Sequence, residues 1–164
     1  MKHVFNTLAL STAVLLSSAS SIAMAQASAP QMPKPSAASA YPVAPAAGLY
    51  EAFGEQAGIR TLMDDFVQRL RADARIGDQF KETNLENLAK QLGDQLCQLS
   101  GGPCVYKGPD MKTAHSNMDV KRAHFNALVE VLQQTMDARG IPFTRQNQML
   151  ALLAPMHRDV VNTR

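Results

Sequence analysis

Ile59, Leu62, Met63, Phe66, Val67 and Leu70 recur at intervals of three and four residues, the period that lines apolar side chains along one face of an α-helix. The stripe predicts a helix of about four turns. A second stripe, Leu85, Leu88, Leu92, Leu96 and Leu99, follows Thr83-x-x-Glu86 and stops at Gly101-Gly102-Pro103, which predicts a helix over 84–100 entered through a capping box on Thr83. Phe125, Leu128, Val129, Leu132 and Met136 mark a third, with Asp119 as its candidate cap and Gly140 and Pro142 as its end. Met149, Leu152, Leu153, Met156 and Val160 mark a fourth, capped by Thr144 and kinked at Pro155. No stretch alternates at period two for long enough to make a strand. The pattern is all-α: four main helices, short elements at 50–53 and 111–115, and an irregular Gly/Pro-rich segment over 101–110. That segment is long for a link between packed helices, and it delivers the chain to His115.

Before Gly48 the periodicity is absent. Residues 26–47 are built from Ala, Pro, Ser, Gln and Met with almost no charge, a composition that buries too little to offset its ordering entropy and predicts a flexible, partly polyproline-like linker. Residues 1–25 start with the basic Lys2 and His3, continue through the apolar run Leu8 to Leu16, too short to span a bilayer, and end on Ala23-Met24-Ala25. This is the pattern of a secretory signal peptide cut after Ala25. It places the mature protein in the periplasm or outside the cell, with one folded domain over 48–164.

Charge and cysteine content narrow the classes further. The 164 residues carry 16 Lys and Arg against 14 Asp and Glu, a net +2, with the signs interspersed; no basic footprint for nucleic acid exists. No second apolar segment is long enough for a bilayer, so no membrane association is expected after signal cleavage. Cys97 and Cys104 are the two cysteines, and in an oxidising compartment the first expectation is a disulfide, two free thiols being the alternative. Their spacing is neither C-x-x-C nor C-x-x-C-H, which supports neither a thioredoxin-type pair nor c-type haem attachment.

Of the four histidines, His115 and His124 lie nine residues apart. His124 sits beside Phe125 on the third helix and reads most simply as a packed residue bonded to a carbonyl; His157, beside Arg158 and Asp159, reads as solvated. His115 closes the short element after the Gly/Pro-rich segment. It has no neighbouring acid, Ser or Cys for a catalytic pair, and too few companions for a zinc site. A lone histidine is commonly structural, yet one is enough for the axial bond to a haem iron.

Several short motifs, in order and at matching spacing, then point one way: L-Y-E-A-F-G-x(4)-I-R at Leu49 to Arg60, D-D-F-x-x-R-L at Asp64 to Leu70, G-G-P-x-x-Y-x-G at Gly101 to Gly108, M-K-x-A-H at Met111 to His115, H-F at His124 and Phe125, and L-A-P-M near the end. Across Leu49 to Val161 the chain resembles a group 1 truncated haemoglobin. The resemblance implies a two-over-two helical sandwich around one non-covalent haem b, with His115 as proximal iron ligand. It puts Phe80, Leu88, Leu92, Met111 and Phe125 at cofactor-contacting positions and Val67, Leu88 and Leu92 on the distal side. Lys90, Lys107 and Lys112 are candidates for the propionates, each also an ordinary surface lysine.

One departure changes what the resemblance implies. Many group 1 members carry a tyrosine directly after D-D-F, whose hydroxyl donates to the O₂ ligand, with glutamine partners on the distal helix; this chain has Val67, Leu88 and Leu92. Such a bond is worth about 1–3 kcal/mol. Gln95, at the edge of the same helical face and flanked by Gln91, is the candidate substitute. The expected function is an exported haem-binding globin that takes O₂, NO or CO without catalysing a reaction, the alternatives being a haem-dependent NO or redox enzyme and a haemless globin-fold interaction module.

Overall fold

The computed structural model describes residues 44–163; the segment expected as a signal peptide, 1–25, and the expected linker as far as Val43, lie outside the described residues. Those described are helical or irregular, with no strand among them. Seven α-helices follow in order: α1 (Leu49–Ala52), α2 (Glu55–Ala72), α3 (Leu85–Leu99), α4 (Met111–His115), α5 (Arg122–Ala138), α6 (Phe143–Leu153) and α7 (His157–Val160). Short 3₁₀ turns stand at Gly77–Phe80 and Ala154–Met156.

The core is the α2 stripe and what it meets. Ile59, Leu62, Met63, Phe66, Val67 and Leu70 are all buried, at roughly 1.5–3 kcal/mol of hydrophobic stabilisation per large side chain. This face packs on α3 and α5, while α6 touches α1, α3 and α5. The α5–α6 turn passes through Gly140 at φ +67, and the buried Gln146 fastens it by donating to Asp137 Oδ1 at 2.7 Å and to the Ile141 carbonyl at 2.8 Å. Helices α4 and α7 are the exceptions. None of α4's five residues or α7's four is buried, and the two pack on each other.

The helix entries differ from expectation by one or two residues. Asn84, not Thr83, caps α3, its Oδ1 accepting from Asn87 N at 2.9 Å. Helix α5 starts at Arg122 rather than from an Asp119 cap, because the backbone of Val120 is already engaged: its carbonyl accepts from Asn162 N and Thr163 N, and its N–H donates to Asn162 Oδ1. Helix α6 starts at Phe143 behind Pro142 instead of from Thr144. Pro155 does not kink a continuous helix; it lies in the 3₁₀ turn that separates α6 from α7.

Cys97 and Cys104 are joined in a disulfide, with Cα atoms 5.7 Å apart. The segment it closes is tightly built. A Cβ on Gly102 would fall 2.5 Å from the Tyr50 ring and 2.7 Å from Cys97 Sγ, so only glycine fits. Beyond the bridge, Tyr106 N donates to Gln98 Oε1 at 2.6 Å and the Tyr106 hydroxyl to the Pro109 carbonyl at 2.9 Å.

Candidate functional site

A cavity of about 430 Å³ opens between the helices, within the roughly 300–1,000 Å³ usual for small-molecule and cofactor sites. Its walls are Met63 and Phe66 from α2, Leu92, Gln95 and Leu96 from α3, and Met111 and His115 from α4. Phe125, Leu128 and Leu132 from α5 and Leu150, Leu153, Met156 and Val160 from the α6–α7 region complete them. Asn126 and Glu130 stand at the exposed rim, where Glu130 also pairs with Arg75. The interior is hydrocarbon, thioether and aromatic, with two polar side chains, His115 and Gln95.

His115 is held at both of its ends. Its Nδ1 lies 2.8 Å from the Met111 carbonyl oxygen one turn earlier, so the ring proton sits on Nδ1 and the Nε2 lone pair is left for coordination. Its backbone carbonyl accepts from Asn162 Nδ2 at 2.6 Å and Met118 N at 3.1 Å. Asp110 starts the helix, its carboxylate accepting from Thr113 N at 2.7 Å and from the Thr113 hydroxyl at 3.1 Å. These bonds, the backbone N–H of Thr113 first, hold the Asp110 carboxyl below the usual carboxylate range. Burial, with the Asp110 charge as a smaller cause, pushes the Tyr106 hydroxyl above its ordinary value.

Gln95 is 3% exposed. Its Nε2 lies 3.7 Å from Met111 Sδ and 3.8 Å from Met156 Sδ, so its N–H groups rest on weak acceptors. Gln91, four residues back, keeps a buried Oε1 with no hydrogen-bond partner among the described residues.

Leu92, Gln95, Met111, His115 and Phe125, each expected at the site, come together on this cavity, and Val67, Leu88 and Phe80 are not among its lining residues. Val67 is 1% exposed within the core, against which Leu88 and Phe80 are partly buried. Lys90 pairs with Asp94 at 2.7 Å and lines a separate polar cleft between α2 and α3; neither Lys107 nor Lys112 lines the cavity. His124 serves the α5 entry, its Nδ1 accepting from Lys121 N at 3.3 Å rather than its ring donating to a carbonyl. His157 is partly buried, its ring edge-on to Phe125 at a centroid distance of 4.7 Å. Asn162 carries no chemical signature in the sequence; only its hydrogen bonds across 42 and 47 residues reveal it.

The geometry matches known proteins over nearly all of the described part. The bacterial-like globin family model matches residues 48–162. A group 1 truncated hemoglobin from Tetrahymena thermophila is 39% identical over 93 residues, which cover 57% of this chain and 77% of the relative. The crystal structure of truncated hemoglobin from Tetrahymena pyriformis in its Fe(III) form superposes with a TM-score of 0.67 at 30% identity, covering 70% of this chain and 98% of that one. The 2/2 hemoglobin from Synechococcus, solved in the cyanomet state with covalently attached heme, has the same fold at a TM-score of 0.65 and 23% identity, covering 70% and 98%. The all-helical arrangement is thus the two-over-two sandwich of the truncated globin fold, and the chain belongs to the bacterial-like globin family as a group 1 truncated hemoglobin.

Proposed function

We propose that this chain binds haem b non-covalently through His115 and uses it to capture neutral diatomic ligands in an exported protein. The observation that carries the reading is His115 itself. It lines an apolar cavity with Nδ1 engaged and Nε2 available, the tautomer and setting of a neutral imidazole ligand. The remaining wall fits a flat aromatic macrocycle: Phe66, Leu92, Phe125 and Leu128 offer hydrocarbon faces, and Asn126 and Glu130 mark an edge open to water for the carboxylates. The sulfur inventory supports non-covalent retention to this extent: the Cys97–Cys104 bridge takes both cysteines and leaves no free thiol for a thioether link to the haem.

When bound, the haem would supply an iron to which a diatomic molecule can bind. The protein's own part is to fix His115, to exclude water with the α2 and α3 side chains, and to set the polarity of the cavity. Met63, Phe66, Leu92 and Leu96 offer no hydrogen-bond donor, so for a ligand that gains from one, such as O₂, the α2 and α3 wall offers only the Gln95 amide, while CO and NO depend on it little.

Reconstitution of residues 26–164 with haem tests the reading. A Soret band is expected, and it is expected to be lost in His115→Ala but kept in His124→Ala, which should instead lower stability by about 1 kcal/mol through the weakened α5 entry. A band that survives in His115→Ala, or a wild type that takes up no haem, overturns it.

Export rests on the basic start at Lys2, the apolar run Leu8 to Leu16 and Ala23-Met24-Ala25, together with a disulfide suited to an oxidising compartment. Cell fractionation of the full chain, with the full-length form remaining in the cytoplasm as the contrary result, decides it.

A further inference from the structure

We propose that Asn162 is a positioning residue for His115, fastening the ligand-bearing helix from outside the cavity; the inference rests on the haem reading above. Helix α4 cannot hold itself. It has five residues and none buried, far below the length at which an isolated helix persists in water. Its C-terminal carbonyls also lack partners within the helix. The His115 carbonyl is one of them, and Asn162 Nδ2 donates to it at 2.6 Å. The same side chain accepts from Val120 N through Oδ1 at 2.9 Å, and the backbone N–H groups of Asn162 and Thr163 both donate to the Val120 carbonyl.

One asparagine thus joins the end of α4 to the strand-like approach to α5, while α7, the helix just before it, packs on α4. The imidazole is fixed at its Nδ1 by the Met111 carbonyl, and its residue is fixed at the carbonyl by Asn162 from across the chain, beside the local bond from Met118 N. Together these set where Nε2 sits and how far α4 can tilt toward or away from a bound group. Asn162 does not line the cavity, so its effect must pass through His115.

Two substitutions separate positioning from simple attachment. Asn162→Ala removes the side-chain bonds to His115 and Val120, and with them the 3.3 Å bond that Oδ1 accepts from the Thr163 hydroxyl. Asn162→Asp keeps an acceptor for Val120 N–H and loses the donor to the His115 carbonyl. In both, the backbone bonds to Val120 still tie the segment down. Haem transfer from the reconstituted protein to an apoglobin acceptor is expected to run roughly five- to tenfold faster in both variants, the effect of one lost hydrogen bond. The iron–histidine stretching band of the ferrous protein, read by resonance Raman, is expected to shift and broaden in both.

Unchanged haem loss and an unmoved band would overturn the proposal, even with a lowered melting temperature, because that is the signature of a purely structural tie. An Asn162→Asp protein that matches wild type while Asn162→Ala does not would overturn it too, moving the role to Val120. A wild type that takes up no haem would sink the haem reading instead, and is read before any variant is compared.

Discussion

Gln95 rests its amide N–H groups on two thioether sulfurs, acceptors weaker than the water they replace. Gln95→Leu removes donor and desolvation penalty together at similar volume, so the melting temperature should hold or rise while O₂ affinity falls relative to CO. A clear loss of stability, read in a thermal melt, would show that the amide has a stronger partner than the sulfurs. The residue scale is also where the sequence is hardest to read. Phe66 and Val67 are adjacent, about 100° apart on the helix, and both are buried; hydrophobic period alone cannot say that Phe66 meets the cavity and Val67 the core. That His115 meets the cavity was legible through the family resemblance that M-K-x-A-H helps to carry. Asn162 was not, because an asparagine near a run of charged and β-branched residues has no pattern, and its partners are distant in sequence.

At the scale of elements, the first three stripes of apolar residues each became one helix, because periodicity reports burial and burial drives these helices, while the fourth was divided into α6 and α7 by the 3₁₀ turn at Ala154–Met156; the short element at 111–115 became α4 without burial. Caps were less legible. They depend on which backbone groups other segments occupy, as the 162–163 clasp on Val120 shows. The Asp110 cap of α4 makes a pH prediction. Its folded pKa lies below the ordinary 3.8, so the stability it contributes is present above pH 3.8 and is lost as pH falls through the lowered value. Haem release should therefore accelerate more steeply on acidification in wild type than in Asp110→Asn, which keeps an uncharged acceptor; identical profiles would remove Asp110 from the account. The disulfide acts on the adjoining loop. Closing a loop over a separation of seven residues stabilises the fold by about 2–3 kcal/mol in the chain-entropy model, and Cys104→Ser should lower the urea midpoint accordingly. Reductant should lower the wild type's midpoint and leave that of the variant unchanged.

Across the molecule, hydrophobic stabilisation and the candidate chemistry are unevenly distributed. The buried side chains come from α1, α2, α3, α5, α6 and the turns beside them, whereas α4, which carries His115, contributes none. The core therefore does not need α4 in place in order to form. In haem-free protein, amide hydrogen exchange should show α2, α3 and α5 well protected and 111–115 among the fastest to exchange, with protection appearing there after haem is added. Equal protection of α4 with and without haem would contradict this. On the proposed haem reading, the order of construction is a finished scaffold first, then capture of the prosthetic group by a short arm set between its disulfide-bound approach on one side and the 162–163 clasp on the other. On the proposed export reading, such a globin could cross a membrane without its pigment and be completed at its destination.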